Sequence, residues 1–151
     1  SVLSSARPKI ANYPFTTLIP NLGVVRKADG NGCLFADIPG LISGAAEGVG
    51  LGHDFLRHIQ RTKILIHLID SIAENPIHDF EIIEKELKRY GSGLLNKERI
   101  VVLNKMELVD ENYLQTITKK LENLSKKKVL VISSSLRKGL SPLLSEVWKR
   151  I

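Results

Sequence analysis

The sequence predicts an α/β domain, a mostly parallel sheet with helices on both faces, and three observations carry that expectation. Short, nearly continuous apolar runs, ILIHLI at 64–69, IVVL at 100–103 and VLVI at 129–132, have the composition of strands buried on both faces. The segments that follow them repeat apolar residues at steps of three and four, the period of an amphipathic helix. At 151 residues and 43% hydrophobic, the chain is long enough for one domain with a real core and too short for two. Strand then helix, three times over, implies right-handed crossovers.

The stretch SVLSSARPKI resembles neither a signal peptide nor a capped helix start, and reads as the tail of a helix. Leu22 to Val25 and Leu34 to Ala36 flank the polar turn Asp29-Gly30-Asn31-Gly32, which predicts an antiparallel pair. The three buried runs should be parallel. Ile77, Phe80, Ile83, Leu87 and Tyr90 form one helical stripe, with Asn75-Pro76 as cap and first turn and Gly91 as stop. Leu114, Ile117, Leu121 and Leu124 mark a second helix behind Asp110. Ser141-Pro142 opens a third, with Leu144, Val147, Trp148 and Ile151 as its apolar positions.

Composition excludes several classes. The longest apolar run, KILIHLIDSIA, is closed by Asp70 and Glu74 well short of the roughly 20 residues that cross a bilayer. Cys33 is the one cysteine, so no internal disulfide is available and a reducing compartment is expected. The net charge of +6 favours an anionic partner, with lysine clustered at 119, 120 and 126–128. That cluster is ordinarily a solvated helix face; an RNA-rich partner is the sharper reading. Aromatics at 5% argue against a dedicated base-stacking platform.

In open parallel sheets ligands collect beyond the carboxyl ends of the strands. Four such ends carry Asp37, Asp70, the pair Asn104-Lys105, and Ser133, Ser134 and Ser135. In Asp37-Ile38-Pro39-Gly40, the carboxylate suits a water of a magnesium ion and the glycine N–H suits a terminal phosphate. Five glycines crowd residues 37–55, as a backbone that approaches phosphate requires. In Asn104-Lys105-Met106-Glu107, the carboxylate can accept the paired N–H donors of guanine's Watson–Crick edge. The lysine stem packs along the base, and the asparagine braces neighbouring loops. Ser133 and Ser134 can bring a backbone N–H to the guanine O6. Tyr13-Pro14-Phe15-Thr16-Thr17 adds hydroxyls suited to a magnesium shell. Each element seen alone is more readily a strand end followed by a polar turn.

In order and spacing, YPFTT, DIPG, NKME and ISSS resemble the motifs of a translation-factor-related GTPase. The fuller stretches KIANYPFTTLIPNLGVV and DIPGLISGAAEGVGLGHDFLRHIQR are similar to the Obg family over most of residues 7–61. The resemblance implies a three-layer P-loop-NTPase-like fold, a Ras-like G domain spanning 1–151. Switch I falls at about 8–21, switch II at about 37–55 and the guanine-recognition half at about 100–151. Thr17 would ligate magnesium with Asp37, and Gly40 would meet the terminal phosphate. Guanine would be held by Asn104, Lys105, Glu107 and Ser134, with Ser133 in support. The implied activity is magnesium-dependent hydrolysis of GTP to GDP by a molecular switch, monomeric when intact. It would act in the assembly of the large ribosomal subunit with ribosomal RNA or protein as partner. The expected location is the cytoplasm, or an organelle interior if a transit segment lies upstream.

Three departures qualify the resemblance. The 151 residues contain no GxxxxGK[ST], so the phosphate loop and the strand before it, central between those ending at Asp37 and Asp70, are expected upstream. Two interior sheet edges would then be exposed, and this chain alone is expected to be inactive and prone to aggregate or to borrow a strand. Glu107 stands where the family usually has aspartate, a methylene too long for the same register, at an expected cost on the order of 1–3 kcal/mol of guanine selectivity. Leu41 replaces the water-orienting glutamine of Ras-like proteins, so intrinsic hydrolysis should be slow.

Other constellations carry less. Asp54 and His58 share a helix face at a zinc-ligand spacing without a third ligand. His67 is expected to be a satisfied core histidine. Arg57, Arg61 and Lys63 make the switch II helix basic, either as a solvated face or as a surface that reports nucleotide state to RNA. No GxSxG elbow appears, so acyl transfer has no support. The competing class is a non-catalytic or degenerate module whose basic face docks on RNA or protein.

Overall fold

The computed structural model describes residue 3 and residues 21–37, 60–91 and 93–151, with the side chains of Asn21, Leu22, Asp37, Tyr90 and Leu94 outside the description. Thr17, Gly40, Leu41, the Asp54/His58 pair, Arg57, and most of the expected switch I and switch II lie outside the described residues.

Strand β1, Asn21–Arg26, pairs antiparallel with β2, Gly32–Asp37, in a register running from Asn21↔Asp37 to Arg26↔Gly32. The turn closes as predicted from its residues. Asp29 Oδ1 accepts from Asn31 N at 2.9 Å, and Gly30 takes the left-handed φ of 89° that this reversal needs.

The remaining strands, β3 (Leu65–Asp70), β4 (Arg99–Asn104) and β5 (Val129–Val131), form a parallel sheet in the order β3-β4-β5. Helix α1, Pro76–Tyr90, connects the first two, α2, Glu111–Ser125, the second two, and α3, Leu140–Arg150, closes the chain. Among the described residues the strands make two sheets rather than one, because no ladder joins β2 to β3. Each of those strands therefore presents an edge.

Strand β4 shows why three layers result. Its residues alternate between faces, so Val101 and Leu103 join Phe80 of α1 and Ile117 and Leu121 of α2 in one core. Ile100 and Val102 join Leu143 and Val147 of α3 in the other, where Cys33 and Phe35 of the hairpin also pack. Val101, Val102 and Leu103 are entirely buried, as the continuous apolar run requires.

Caps set the helix ends. Asn75 Oδ1 accepts from His78 N at 3.1 Å, Pro76 opens α1, and Gly91 closes it at φ 76°. Asp110 caps α2 by accepting from Asn112 N at 3.1 Å and Tyr113 N at 3.3 Å. Helix α3 differs from expectation in start and stripe. It begins at Leu140 behind Gly139, whose φ of 76° and whose missing Cβ, which would lie 2.5 Å from the Val131 carbonyl oxygen, admit only glycine. Its buried positions are the expected Val147 and also Leu143, with Leu144 half-buried and Ile151 exposed; Trp148, half-buried, receives the Lys27 ammonium 4.8 Å from its ring centroid. On α2, Leu124 is exposed beyond the core that Ile117 and Leu121 enter.

His67 corrects the expectation of a satisfied histidine. Its ring stacks on Phe80 with centroids 5.2 Å apart, but its Nδ1 is buried without a partner among the described residues. Burial, and then the positive charge of Arg99, push its pKa down to about 4.

Candidate guanine-reading site

The parallel sheet delivers three loops to one end. Strand β3 ends in Asp70, β4 ends in Asn104 directly opposite it in register, and the chain leaving β5 turns at 133–138. Backbone bonds tie these loops before any side chain acts. Ile132 N donates to the Leu103 carbonyl at 2.8 Å, Met106 N to the Ile132 carbonyl at 3.2 Å, and Ser71 N to the Asn104 carbonyl at 3.1 Å.

Asn104 then joins β4 to the serine loop through both ends of its amide. Its Oδ1 accepts from Ser134 N at 3.0 Å, and its Nδ2 donates to Ser134 Oγ at 3.1 Å. Lys105 adopts the left-handed conformation, φ 67° and ψ 34°, which swings the chain out of β4 into the single 3-10 turn Met106–Leu108. Its Nζ reaches back across the loops to Asp70 Oδ2 at 2.7 Å. The other Asp70 oxygen accepts from Ile72 N at 3.0 Å, which fixes the carboxylate at the end of β3.

Glu107 projects from that turn toward the serines. Its Oε1 accepts from Ser135 Oγ, and this hydroxyl donor, followed by the Ser133 hydroxyl, holds the carboxyl below the usual glutamate range. Its Oε2 is buried and has no partner among the described residues. Ser133 is fully buried, its Oγ accepting from Leu136 N at 3.1 Å and lying 3.3 Å from Ser135 Oγ.

The structure thus brings together Asn104, Lys105, Glu107, Ser133 and Ser134, which are scattered over thirty positions of sequence. Thr17 and Gly40 lie outside the described residues, and Asp37 is placed only as the last residue of β2. Two features were not assigned from sequence. Asp70 anchors Lys105, a role for which its position at a strand end was the only signal. The backbone N–H groups of Ser133 and Ser134 correct the expectation that they reach a guanine O6, because they are already bonded to the Lys138 carbonyl and to Asn104 Oδ1, each at 3.0 Å. Ser135, which the sequence placed at the loop without a role, is the residue on Glu107. Among the described residues no group of three or more His, Cys, Asp or Glu gathers as a metal site, and no helix is long and apolar enough to cross a membrane.

Chemically, the cluster offers a braced carboxylate with one free acceptor oxygen beside an ammonium on a long apolar stem.

Comparison with known proteins gives this geometry a context. A family profile described as 50S ribosome-binding GTPase matches residues 1–105. The chain is 99% identical over 151 residues to a protein named GTPase Obg from Prochlorococcus marinus subsp. pastoris, and 61% identical over 151 residues to the GTPase Obg of another Prochlorococcus marinus strain. Each match covers 100% of this chain and 46% of the relative, so the chain spans about half the length of the curated relatives it matches. It superposes on Era in complex with MgGDPNP and nucleotides 1506–1542 of 16S ribosomal RNA with a TM-score of 0.70 at 22% identity, over 93% of this chain and 47% of that one. On the cytosolic domain of FeoB from L. pneumophila the TM-score is 0.68 at 19% identity, over 99% of this chain and 57% of that one. Identities this low speak for the fold alone, and the fold is that of a Ras-like G domain.

Proposed function

The chain belongs to the Obg family of 50S ribosome-binding GTPases, and from that premise we propose that the loops ending β4 and β5 read guanine in a switch that hydrolyses GTP to GDP. The observation that carries this reading is the unpartnered, buried Oε2 of Glu107 on a carboxylate whose other oxygen is already fixed. A buried acceptor without a donor is costly unless a ligand supplies one. The N1–H and N2–H of guanine are donors of the right kind, whereas adenine presents an acceptor at N1.

On this reading Lys105 does two jobs. Its stem lies along the base, and its ammonium, held by Asp70, stiffens the loop that carries Glu107. Asn104 locks that loop to Ser134, so the base meets a preformed frame and little ordering cost is left to binding. The residues assigned to magnesium, the Thr17 hydroxyl and the Asp37 carboxylate, are hard oxygen donors that suit the ion. Magnesium there would neutralise phosphate charge. Gly40 would meet the terminal phosphate, and its release on hydrolysis would relax the flanking switch segments. The gap in pairing between β2 and β3 among the described residues is where this reading puts the strand that leads into the phosphate loop, with 1–151 belonging to one G domain. A role in large-subunit assembly follows from the family and accords with the net charge of +6.

A second reading, a nucleotide-independent module docking on RNA or protein, draws on the exposed Lys119, Lys120, Lys126 and Lys128. Titration of fluorescent GDP into the full-length protein with magnesium, competed by GTP and by ATP, separates the two. Competition by GTP and not ATP is expected; no binding, or equal competition by ATP, would sink the guanine reading and favour the module.

A further inference from the structure

We propose that Ser135 is the positioning residue that makes glutamate workable at 107, through a relay of hydroxyls running from the backbone to the base-reading carboxylate. The inference rests on the guanine-reading role of Glu107. Its direction is set by what each group can donate. Ser135 spends its one proton on Glu107 Oε1, so at the 3.3 Å contact between the two hydroxyls Ser133, which itself accepts from Leu136 N at 3.1 Å, is the donor. Ser133, fully buried, is the anchor of this chain, and each donor in it strengthens the next.

The consequence is a selected rotamer. A glutamate has one more rotatable bond than an aspartate, and a mobile carboxylate would spend affinity on being ordered. With Oε1 pinned by Ser135, the carboxylate is held with Oε2 unmatched and ready for the base. An aspartate at this turn, a methylene shorter, would fall short of Ser135 and would have no use for it. Ser135 is therefore coupled to the length of the side chain at 107, and that coupling is the testable content.

The experiment uses the full-length protein in four forms: unaltered, S135A, E107D and the double variant, with S135T as the conservative control. Affinities for GDP and for inosine diphosphate, which lacks the 2-amino donor, are measured for each. S135A is expected to weaken GDP binding on the order of tenfold and to narrow the preference for GDP over inosine diphosphate. S135T should restore both. In the E107D background, adding S135A should change GDP affinity by less than about twofold. Ser135 is exposed, so the variants are expected to fold. A readout without nucleotide is the NMR titration of the Glu107 carboxyl, which should move upward in S135A once its first donor is gone. An S135A variant that binds GDP normally, or one whose loss is the same with and without E107D, overturns the relay while leaving the guanine site intact. Failure of the unaltered protein to bind GDP overturns both proposals together.

Discussion

Both ends of the parallel sheet are rich in charge, yet they use it differently. At the amino end the charges answer one another: Arg150 bonds Glu98 at 2.8 Å and also pairs with Glu146 at 2.5 Å, and Arg99 pairs with Glu84. At the carboxyl end Lys105 answers Asp70 and Asn104 answers Ser134, but the Glu107 carboxylate is held by one oxygen and keeps the other buried and unmatched. Arg99 Nε is also unmatched among the described residues, but it belongs to a cation that Glu84 already neutralises. Charge density alone therefore does not distinguish a site from a scaffold. What does, among the described residues, is an unmatched acceptor on a carboxylate whose other oxygen is already fixed, as in Glu107.

The largest effect should come from breaking the amino end. Arg99 is 6% exposed, so Arg99→Ala removes a buried cation and strands Glu84, at an expected cost of about 3 kcal/mol of stability. Denaturant unfolding reads the loss, and GDP affinity of the folded protein should not change. A change in affinity comparable to the change in stability would mean that the two ends are not separable.

Midway along β3, His67 supplies a pH test that the two ends should survive differently. Its folded pKa of about 4 lies below the ordinary 6.5, so the native state binds fewer protons than the unfolded state. The sign follows: stability is full above about 6.5 and falls as pH drops toward 4, by up to about 3 kcal/mol in all. His67→Phe, which keeps a ring against Phe80, should flatten that slope. The Ser135 and Ser133 hydroxyls hold the Glu107 carboxyl below the ordinary glutamate range, so it stays charged over the upper part of that window. The expected result is a protein that begins to weaken as pH falls below 6.5 while its folded fraction keeps its nucleotide affinity over the upper part of that range.

At the carboxyl end, Asn104→Ala cuts both bonds between β4 and the serine loop. A stability loss of about 1 kcal/mol is expected, with GDP affinity falling roughly 10- to 100-fold, because the frame is no longer preformed. Isothermal titration and thermal unfolding on one preparation give both numbers. Equal losses in the two would make Asn104 a structural residue of the kind found at the other end.

What was legible in the sequence divides along the same line. Local chemistry announced the strands, the hairpin turn, the Asn75 and Asp110 caps and the strand-end polar residues, because apolar periodicity and capping act within a few positions. The match to a G domain came from short motifs in order. What sequence could not supply was who bonds whom. That Ser134 spends its N–H on Asn104, that Ser135 donates to Glu107, and that Asp70 holds Lys105 depend on loops 28 to 35 residues apart in sequence. On α3 the stripes Leu140-Leu143-Val147 and Leu144-Val147-Trp148 both pass through Val147, and packing against Ile100 and Val102 of β4 buries the first more deeply.

The smallest effect is also the sharpest comparison, since two lysines share one unusual backbone. Lys105 at φ 67° and Lys126 at φ 57° both occupy the left-handed region, where glycine is more comfortable. Lys126 is there to close α2, its N–H donating to the Glu122 carbonyl at 3.0 Å, and its side chain is exposed. Lys126→Gly should therefore stabilise the fold by roughly 0.5–1 kcal/mol and leave nucleotide binding alone. Lys105→Gly gains the same backbone relief but loses the contact to Asp70, a pair half open to solvent and worth no more than about 1 kcal/mol, so its net change in stability should be near zero. Its GDP affinity should nevertheless fall about tenfold or more, because the stem along the base and the stiffened loop go with it. If Lys105→Gly were instead stabilised as much as Lys126→Gly and bound GDP normally, Lys105 would be a turn residue like its counterpart, and the carboxyl end would lose its claim to be different in kind.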